Sequence, residues 1–235
     1  MNPIGKLENL QHHIIACRLC PRLVHWREKA AREKVKRFAG QDYWGKPIPG
    51  FGDPKARLFL VGLAPAAHGG NRTGRMFTGD ESGNWLFRAL HKAGFASEPV
   101  SVHRFDGLTL HDCYITATVR CAPPRNKPTP REIQNCRPYL LQEIKLLKNV
   151  RVVVGLGKIG FDAALIAYCE MGKITYAVKP KFTHGALYHF GELTFIASYH
   201  PSQQNTFTGR LTRAMLDRVF ALARKNVESE TVSKR

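Results

Sequence analysis

Residues 57–63 read RLFLVGL, a short apolar run that ends in turn-forming residues and therefore predicts a buried β-strand. Three later runs have the same character: CYITATV at 113–119, RVVVG at 151–155 and LTFIA at 193–197. Segments rich in helix formers lie around them and predict helices at 22–38, 84–93, 130–147, 158–169 and 211–226. Strands that alternate with helices predict an α/β fold, here a three-layer αβα arrangement with a central, mostly parallel four-stranded sheet.

The chain of 235 residues is long enough for one large domain with a sizeable core. Neither an internal repeat nor a convincing domain boundary interrupts the pattern, so we expect a single domain over residues 1–226. Residues 227–235 are polar and terminal, and we expect them to form a disordered tail.

The chain is strongly basic, with 36 Lys and Arg against 18 Asp and Glu and a formal net charge of +18. Such a field attracts polyanions and favours DNA as the partner. An anionic membrane is the rival, but we find no strong amphipathic anchor and no lipidation signal. General solubility, or adaptation to an unusual habitat, is the alternative explanation of the charge.

The N-terminal sequence lacks the basic and apolar regions of a secretory signal, and no apolar run approaches the roughly 18 residues of a membrane span. We therefore expect a cytoplasmic, nucleoid-associated protein without a membrane partner. We also expect a monomer.

Four of the six cysteines form two pairs. Cys17 and Cys20 make a C-x2-C pair, and Cys121 and Cys136 make a C-x14-C pair that opens at the end of the second strand and closes inside the next helix. In a reducing cytoplasm, clustered thiols favour metal binding over disulfides. Four thiolates suit either tetrahedral zinc or an iron–sulfur cluster, and the spacing alone does not distinguish them. The alternative is that Cys121 and Cys136 are merely buried thiols.

Three loops follow predicted strands, where open α/β sheets bind their ligands. They read GLAPAAHGGNRTGRMFTGD at 62–80, RCAPPRNKPTP at 120–130 and SYHPSQQNTFTGR at 198–210. The glycines of the first loop allow the backbone to approach a ligand closely, but the loop is not a Walker P-loop. The third loop places His200 at the tip of its strand.

These three long strings resemble the uracil-DNA glycosylase superfamily, and more narrowly its family 5, the iron–sulfur uracil-DNA glycosylases of type b. The similarity runs from Cys17 to about Lys225. It implies an enzyme that flips uracil out of DNA and hydrolyses the N-glycosidic bond, leaving an abasic site. Hypoxanthine and mismatched thymine are further candidate bases. The resemblance also favours a 4Fe–4S cluster over zinc as the group held by Cys17, Cys20, Cys121 and Cys136.

The resemblance implies roles for three catalytic candidates. His200 would donate a hydrogen bond to a uracil carbonyl that gains negative charge, and Asn126 would hold the attacking water. Asp80 would order that water or stabilise the sugar cation. Each has a structural alternative: His200 as the end of a strand, Asn126 as a turn residue, and Asp80 as the N-cap of the helix that begins near Glu81.

Six further residues are candidates for substrate binding. Phe77 would stack on the flipped base, or is a core residue. Ala64 and Ala66 stand where many relatives carry a polar residue that activates water. The wedge that keeps the base stack open would come from Pro201, Ser202 and Gln203.

A different class of function uses the same features. A non-enzymatic nucleic-acid-binding module with a structural zinc site, in which four cysteines hold the metal, would explain both the charge and the thiols. A lyase that nicks the strand needs a nucleophilic amine, and Lys127, the nearest lysine in the three loops, is discounted.

Overall fold

A computed structural model describes residues 3–229. Its sheet has the strand order β1-β3-β2-β4-β6-β5. The strands are β1 (Phe51–Gly52), β2 (Leu58–Gly62), β3 (Cys113–Ala117), β4 (Val152–Leu156), β5 (Leu187–Phe190) and β6 (Leu193–Ser198). The four strands expected from the sequence are the central ones, β3, β2, β4 and β6, and they are parallel to one another.

The prediction of four strands was wrong in number, because an antiparallel strand lies at each edge of the sheet. The strand β1 has only two residues, too few to show a pattern. The strand β5 is half-buried and forms a tight hairpin with β6, in which Phe190 pairs with Leu193 and Gly191 has a φ of 58°. Such a hairpin turn needs a positive φ, which glycine adopts without strain.

The helices are α1 (Pro3–Ala16), α2 (Pro21–Glu33), α3 (Gly70–Thr73), α4 (Glu81–Lys92), α5 (Pro130–Leu146), α6 (Lys158–Glu170), α7 (Gln203–Phe207) and α8 (Arg213–Glu228). The five predicted helices correspond to α2, α4, α5, α6 and α8. The first was predicted to reach residue 38, but α2 ends at Glu33 because Lys34 has a φ of 52°, and a short 3₁₀ turn follows at Lys36–Phe38.

Alternate side chains of the central strands point to opposite faces of the sheet. On one face, Leu58 and Leu60 join a core that includes residues of α4 and α8. On the other, Phe59 and Val61 join a core that includes residues of α1, α5 and α6. The three-layer αβα architecture is therefore confirmed.

The C-terminal helix extends further than the sequence indicated. The predicted tail began at residue 227, but Val227 is buried and α8 continues to Glu228. Residues 230–235 lie outside the described part of the chain. Within that part, every helix is too short or too polar to cross a membrane.

Candidate active site

The parallel strands end at one edge of the sheet, and the three loops singled out above leave from it. Gly62 at the end of β2 pairs with Ala117 of β3, and Leu156 at the end of β4 pairs with Ser198 of β6. The backbone N–H of Gly157 donates to the carbonyl of Ser198 across 2.7 Å. The loops after β2, β3 and β6 therefore begin close together.

Phe77 of the first loop and His200 of the third are in ring contact. Their centroids are 5.6 Å apart and their planes are inclined by 30°. Phe77 is half-buried and has a φ of 54°, an unusual conformation for an aromatic residue. Gly62 leaves room for its ring, since a Cβ at position 62 would lie 2.9 Å from Phe77 Cζ. Two residues that are far apart in sequence thus form one aromatic wall.

The His200 ring is neutral at physiological pH. Burial lowers its pKa to about 4, because desolvation disfavours the charged form. Its main chain is held by Asn205, whose Nδ2 donates to the His200 carbonyl across 2.8 Å. A neutral imidazole has one N–H to donate and one nitrogen to accept.

Asp80 is the N-cap of α4, which was the structural alternative to its predicted catalytic role. Its Oδ1 accepts from the backbone N–H of Gly83 at 2.9 Å, at the start of α4. Its other oxygen lies against Gly69, where a Cβ would come within 1.9 Å of Oδ2. Burial raises the pKa of this carboxyl, and the Gly83 N–H and the nearby Arg72 guanidinium act in the opposite direction.

Asn126 lies at the tip of the second loop, and its side chain is exposed. Both Arg125 and Asn126 adopt left-handed backbone conformations, with φ near 55°. The next residue is anchored by α2, because Arg22 donates to the Lys127 carbonyl and to the carboxylate of Glu132. Glu132 also forms a capping box with Thr129 at the start of α5. The loop is thus fixed at its base, while Asn126 takes no part in the ring pair.

The remaining candidates are spread around the edge. Ala64 packs against the cysteine region, and the carbonyl of Ala66 accepts from the backbone N–H of Asn71. Pro201 is buried, Ser202 is half-buried at the N-cap of α7, and Gln203 is exposed. Of the three predicted wedge residues, Gln203 is the most accessible.

All four predicted cysteine ligands line one small cavity, which lies between the α1–α2 connection, the end of β3 and α5. Burial raises the pKa of Cys121 to about 12 and that of Cys136 to about 11. The guanidinium of Arg27 donates to Cys121 Sγ across 3.1 Å. Within residues 3–229, no three His, Cys, Asp or Glu side chains are arranged as the ligands of a single metal ion.

Several residues near the site were not identified from the sequence. His184 accepts the backbone N–H of Tyr199 at Nδ1 across 3.0 Å and stacks on the Tyr199 ring, with the ring centroids 4.9 Å apart. Asn205 holds His200, as described above. Arg27 approaches a sulfur that is 94 residues away in sequence. A single sequence carries no spacing signal for a contact across 94 residues, and no local pattern indicates that Asn205 meets His200 or that His184 meets Tyr199.

The surface around the third loop is basic and aromatic. Arg210 lies over the Tyr199 ring at 4.7 Å, and Arg213 lies over Trp85 at 5.7 Å. Phe207, at the end of α7, is 76% exposed. Cations beside stacked and exposed rings are typical of surfaces that bind nucleic acid.

Comparison with known proteins adds a family assignment. A family model described as "Uracil DNA glycosylase superfamily" matches residues 49–224. The chain is 51% identical to the type-5 uracil-DNA glycosylase of Thermus thermophilus over 213 residues, 90% of this chain and 94% of the relative. It is 49% identical to that of Mycobacterium tuberculosis over 223 residues, 94% of this chain and 82% of the relative. It is 43% identical to that of Pyrobaculum aerophilum over 221 residues, 94% and 93% of the two chains.

Proposed function

Because the chain belongs to the uracil DNA glycosylase superfamily, and within it to the type-5 uracil-DNA glycosylases, we propose that it is a DNA-repair hydrolase that excises uracil from DNA. The reaction hydrolyses the N-glycosidic bond and leaves an abasic site. The observation that carries the proposal is the contact between Phe77 and the neutral ring of His200, at the edge where three strand-end loops meet.

Cleavage of the N-glycosidic bond leaves positive charge on the sugar and negative charge on the departing base. A neutral His200 stabilises that base by donating its N–H to a uracil carbonyl. Since the imidazole is already placed and largely desolvated, it does not have to reorganise as the charge develops. Asn205 holds the main chain of His200 and so keeps the donor in position.

Phe77 supplies the stacking surface for the flipped base. Its ring is positioned by the end of β2 and by the ring of His200, so it lies at the edge of the sheet where the flipped base would bind. Stacking on an aromatic side chain tolerates different bases. This tolerance agrees with hypoxanthine and mismatched thymine as further substrates. Ala64 and Ala66, which stand in place of larger polar residues, would leave room for these bases.

Water reaches the anomeric carbon from the side of Asn126 and Asp80 in this proposal. The amide of Asn126 orients water but is a poor base, so the reaction depends on early departure of the uracil. Asp80 caps α4 through Oδ1, and Oδ2, which lies against Gly69, is the oxygen that would contact water or the cationic sugar. Capping and catalysis are thus compatible roles of one carboxylate.

Extrusion of the nucleotide costs a few kcal/mol, which the phosphate contacts and a wedge must offset. The net charge of +18 favours the phosphate contacts. Because Pro201 is buried, we assign the wedge to exposed side chains of the third loop, Gln203 and Phe207. The enzyme would act on the chromosome, in the cytoplasm and close to the nucleoid, as a monomer.

We assign a 4Fe–4S cluster to Cys17, Cys20, Cys121 and Cys136, because their side chains line the same cavity. Each of these four cysteines would supply one thiolate ligand to the cluster. The buried thiols of Cys121 and Cys136 would bind as thiolates, which metal ions stabilise against the cost of burial. When bound, the cluster joins the N-terminal helices to the second loop.

The test is a base-release assay with a duplex that contains one uracil. We expect free uracil and an abasic site without strand cleavage, and a His200→Gln variant slower in single turnover by roughly 10²- to 10³-fold with DNA binding retained. A cluster-loaded enzyme that releases no uracil, hypoxanthine or mismatched thymine would exclude the glycosylase. Iron and sulfide analysis, with the absorbance of the protein, then distinguishes an iron–sulfur cluster from colourless zinc.

A further inference from the structure

Arg27 contacts both pairs of cysteines from the buried face of α2. Its side chain is 2% exposed. The Nη1 atom lies 3.1 Å from Cys121 Sγ and 3.4 Å from the Cys17 carbonyl, to both of which it donates. Because α2 begins at Pro21, directly after Cys20, the guanidinium is placed by the same segment that supplies the first cysteine pair.

Within residues 3–229, the positive charge of Arg27 has only a distant carboxylate, which it shares with a second arginine. The ion pair that it forms in the described part of the chain is with Glu28, at 3.7 Å. Glu28 is 40% exposed and is bound more closely by Arg18, at 2.6 Å. The Nε of Arg27 is buried without a hydrogen-bond partner among the described residues. A buried cation is costly unless it is paired, and a neutral thiol is only a weak acceptor.

Arg120, the other deeply buried arginine near the cysteines, differs in its ion pair, although its Nε, like that of Arg27, is buried without a partner among the described residues. Its Nη2 lies 2.5 Å from Oε2 of Glu143, which is fully buried. It also donates to Thr116. The charge of Arg120 is therefore balanced within the protein, whereas that of Arg27 is directed at sulfur.

We propose that Arg27 is the counter-charge of the metal centre, and that its hydrogen bond to Cys121 Sγ stabilises the cluster and raises its reduction potential. The inference rests on the proposed 4Fe–4S cofactor. Four thiolates would give such a centre net negative charge. The Arg27 guanidinium would offset part of it, because its hydrogen bond to Cys121 Sγ, at 3.1 Å, is shorter than its contacts with the Cys17 carbonyl and with Glu28. Thiolate sulfur also accepts a hydrogen bond better than a thiol does.

The main chain of Arg27 carries the effect towards the active site. Its carbonyl accepts from Asn71 Nδ2 across 3.1 Å, and the Asn71 backbone N–H donates to Ala66 in the first loop. The helix α2 thus contacts Cys121 through the side chain of Arg27 and the first loop through its main chain, so a bound cluster would be linked to that loop. Loss of the cluster should leave Arg27 buried beside neutral thiols and loosen this contact.

Removal of the Arg27 charge should change both the reduction potential of the cluster and its rate of loss. Reduction adds one electron and makes the centre more negative, so the charge of Arg27 favours the reduced form. Replacement by glutamine should lower the reduction potential and speed cluster loss. Partners in the outer shell of metal sites typically alter metal affinity by about 10- to 100-fold, and we expect an effect of that order on the rate of bleaching.

The experiment compares the cluster-loaded wild type with R27Q, R27K and K29Q, all purified anaerobically. Lys29 is the matched control, because it lies on the same helix, is 42% exposed and contacts Glu33 rather than a sulfur. The readouts are the reduction potential of the cluster, the rate of bleaching by a chelator in air, and hydrogen exchange of residues 64–73 with and without cluster. We expect R27Q to have a lower reduction potential, faster bleaching and faster hydrogen exchange in residues 64–73. We expect R27K to remain near the wild type in all three measurements, and K29Q to equal the wild type.

Each outcome decides the proposal. R27Q that loses its cluster during purification, while R27K and K29Q keep theirs, supports a role of the charge. A wild-type potential and bleaching rate in R27Q would overturn it, and so would cluster loss in both Arg27 variants. If the wild type contains no iron or sulfide, this inference and the proposed cofactor both fail, while base release still tests the glycosylase.

Discussion

At the scale of single residues, His200 determines how the reaction depends on pH. Its pKa is lowered from 6.5 to about 4 by burial. We expect the single-turnover rate of uracil release to show no inflection near pH 6.5, because the ring stays neutral until the solution is much more acidic. The rate would be measured between about pH 5 and pH 8, the range in which an ordinary histidine titrates.

The lowered pKa of His200 also makes the stability of the folded protein depend on pH. The unfolded chain binds a proton at His200 near pH 6.5, whereas the folded chain does so only near pH 4, so its contribution to stability is lost as the pH falls between these values. Thermal melts over this range separate loss of folding from loss of catalysis. An inflection near pH 6.5 in the rate of uracil release, at a pH where the protein remains folded, would contradict the assignment of a neutral ring if it disappears in His200→Gln.

Gly69 shows how the first loop depends on the absence of a side chain. A Cβ at this position would lie 1.9 Å from Asp80 Oδ2 and must displace the carboxylate. We expect Gly69→Ala to lower the single-turnover rate by about tenfold or more, since small displacements of catalytic groups are costly. Gly40→Ala is the matched control, because a Cβ there meets nothing within 4 Å.

A Gly69→Ala variant with normal activity would show that Oδ2 is not needed in its observed place. A comparison with Asp80→Asn separates position from charge. The asparagine keeps an oxygen that can cap α4, so a slow Asp80→Asn enzyme of normal stability would indicate that the carboxylate acts on water or on the sugar.

At the scale of elements, the short helix α7 presents an aromatic ring to the solvent beside the candidate site. Phe207 is 76% exposed, and α7 is tied to His200 through Asn205. If Phe207 contacts the opened base stack, Phe207→Ala should slow excision from duplex DNA by roughly tenfold, on the scale of one aromatic–base contact. Single-stranded substrate should be much less affected, because its bases are easier to extrude.

The control for this prediction is Val178→Ala, which removes another highly exposed apolar side chain, 84% accessible, outside the three loops. Rates are compared on duplex and single-stranded oligonucleotides of the same sequence. Equal losses on both substrates would argue against a wedge and for a general role of α7 in holding His200.

The strands and helices that were predicted correctly from the sequence are those whose residues show a strong local pattern of apolar side chains. The central strands β2, β3, β4 and β6 are continuous apolar runs buried on both faces, and they were located to within two residues at either end. The edge strand β5 was missed because its residues are half-exposed. The helix α1 was missed although Leu7, Leu10 and Ile14, all buried, follow helical spacing.

The position of the candidate site at one edge of the sheet was predictable from the order of strands and helices. Parallel strands bring their carboxyl ends to one edge, so the contact between Phe77 and His200 follows from the strand assignments and from the resemblance. The details that depend on tertiary contacts were not accessible. The hydrogen bond from Arg27 to Cys121 joins residues 94 positions apart, and no local sequence pattern indicates the stacking of His184 on Tyr199. The burial of Pro201 likewise emerges only from packing.

For the molecule as a whole, the four cysteines would link the N-terminal helices, which are not part of the sheet, to the segment that follows β3. Cys17 and Cys20 lie between α1 and α2, before the first strand, whereas Cys121 and Cys136 belong to the loop after β3 and to α5. A cluster bound by all four therefore closes a loop of about a hundred residues. Cross-links across such distances typically stabilise a protein by about 2–5 kcal/mol, mainly by restricting the unfolded chain.

We therefore expect Cys17→Ser to lose iron and to lower the Tm by about 5 °C or more, given roughly 2–4 °C per kcal/mol for a chain of this size. Cys169→Ser is the control, because Cys169 is exposed and lies outside the cavity. Melting would be followed by circular dichroism, with iron and sulfide measured on the same samples. A Cys17→Ser protein that melts like the wild type after losing its iron would show that α1 and α2 are held by packing and by contacts such as that of Arg22 with Glu132, and that the cluster contributes little to the fold.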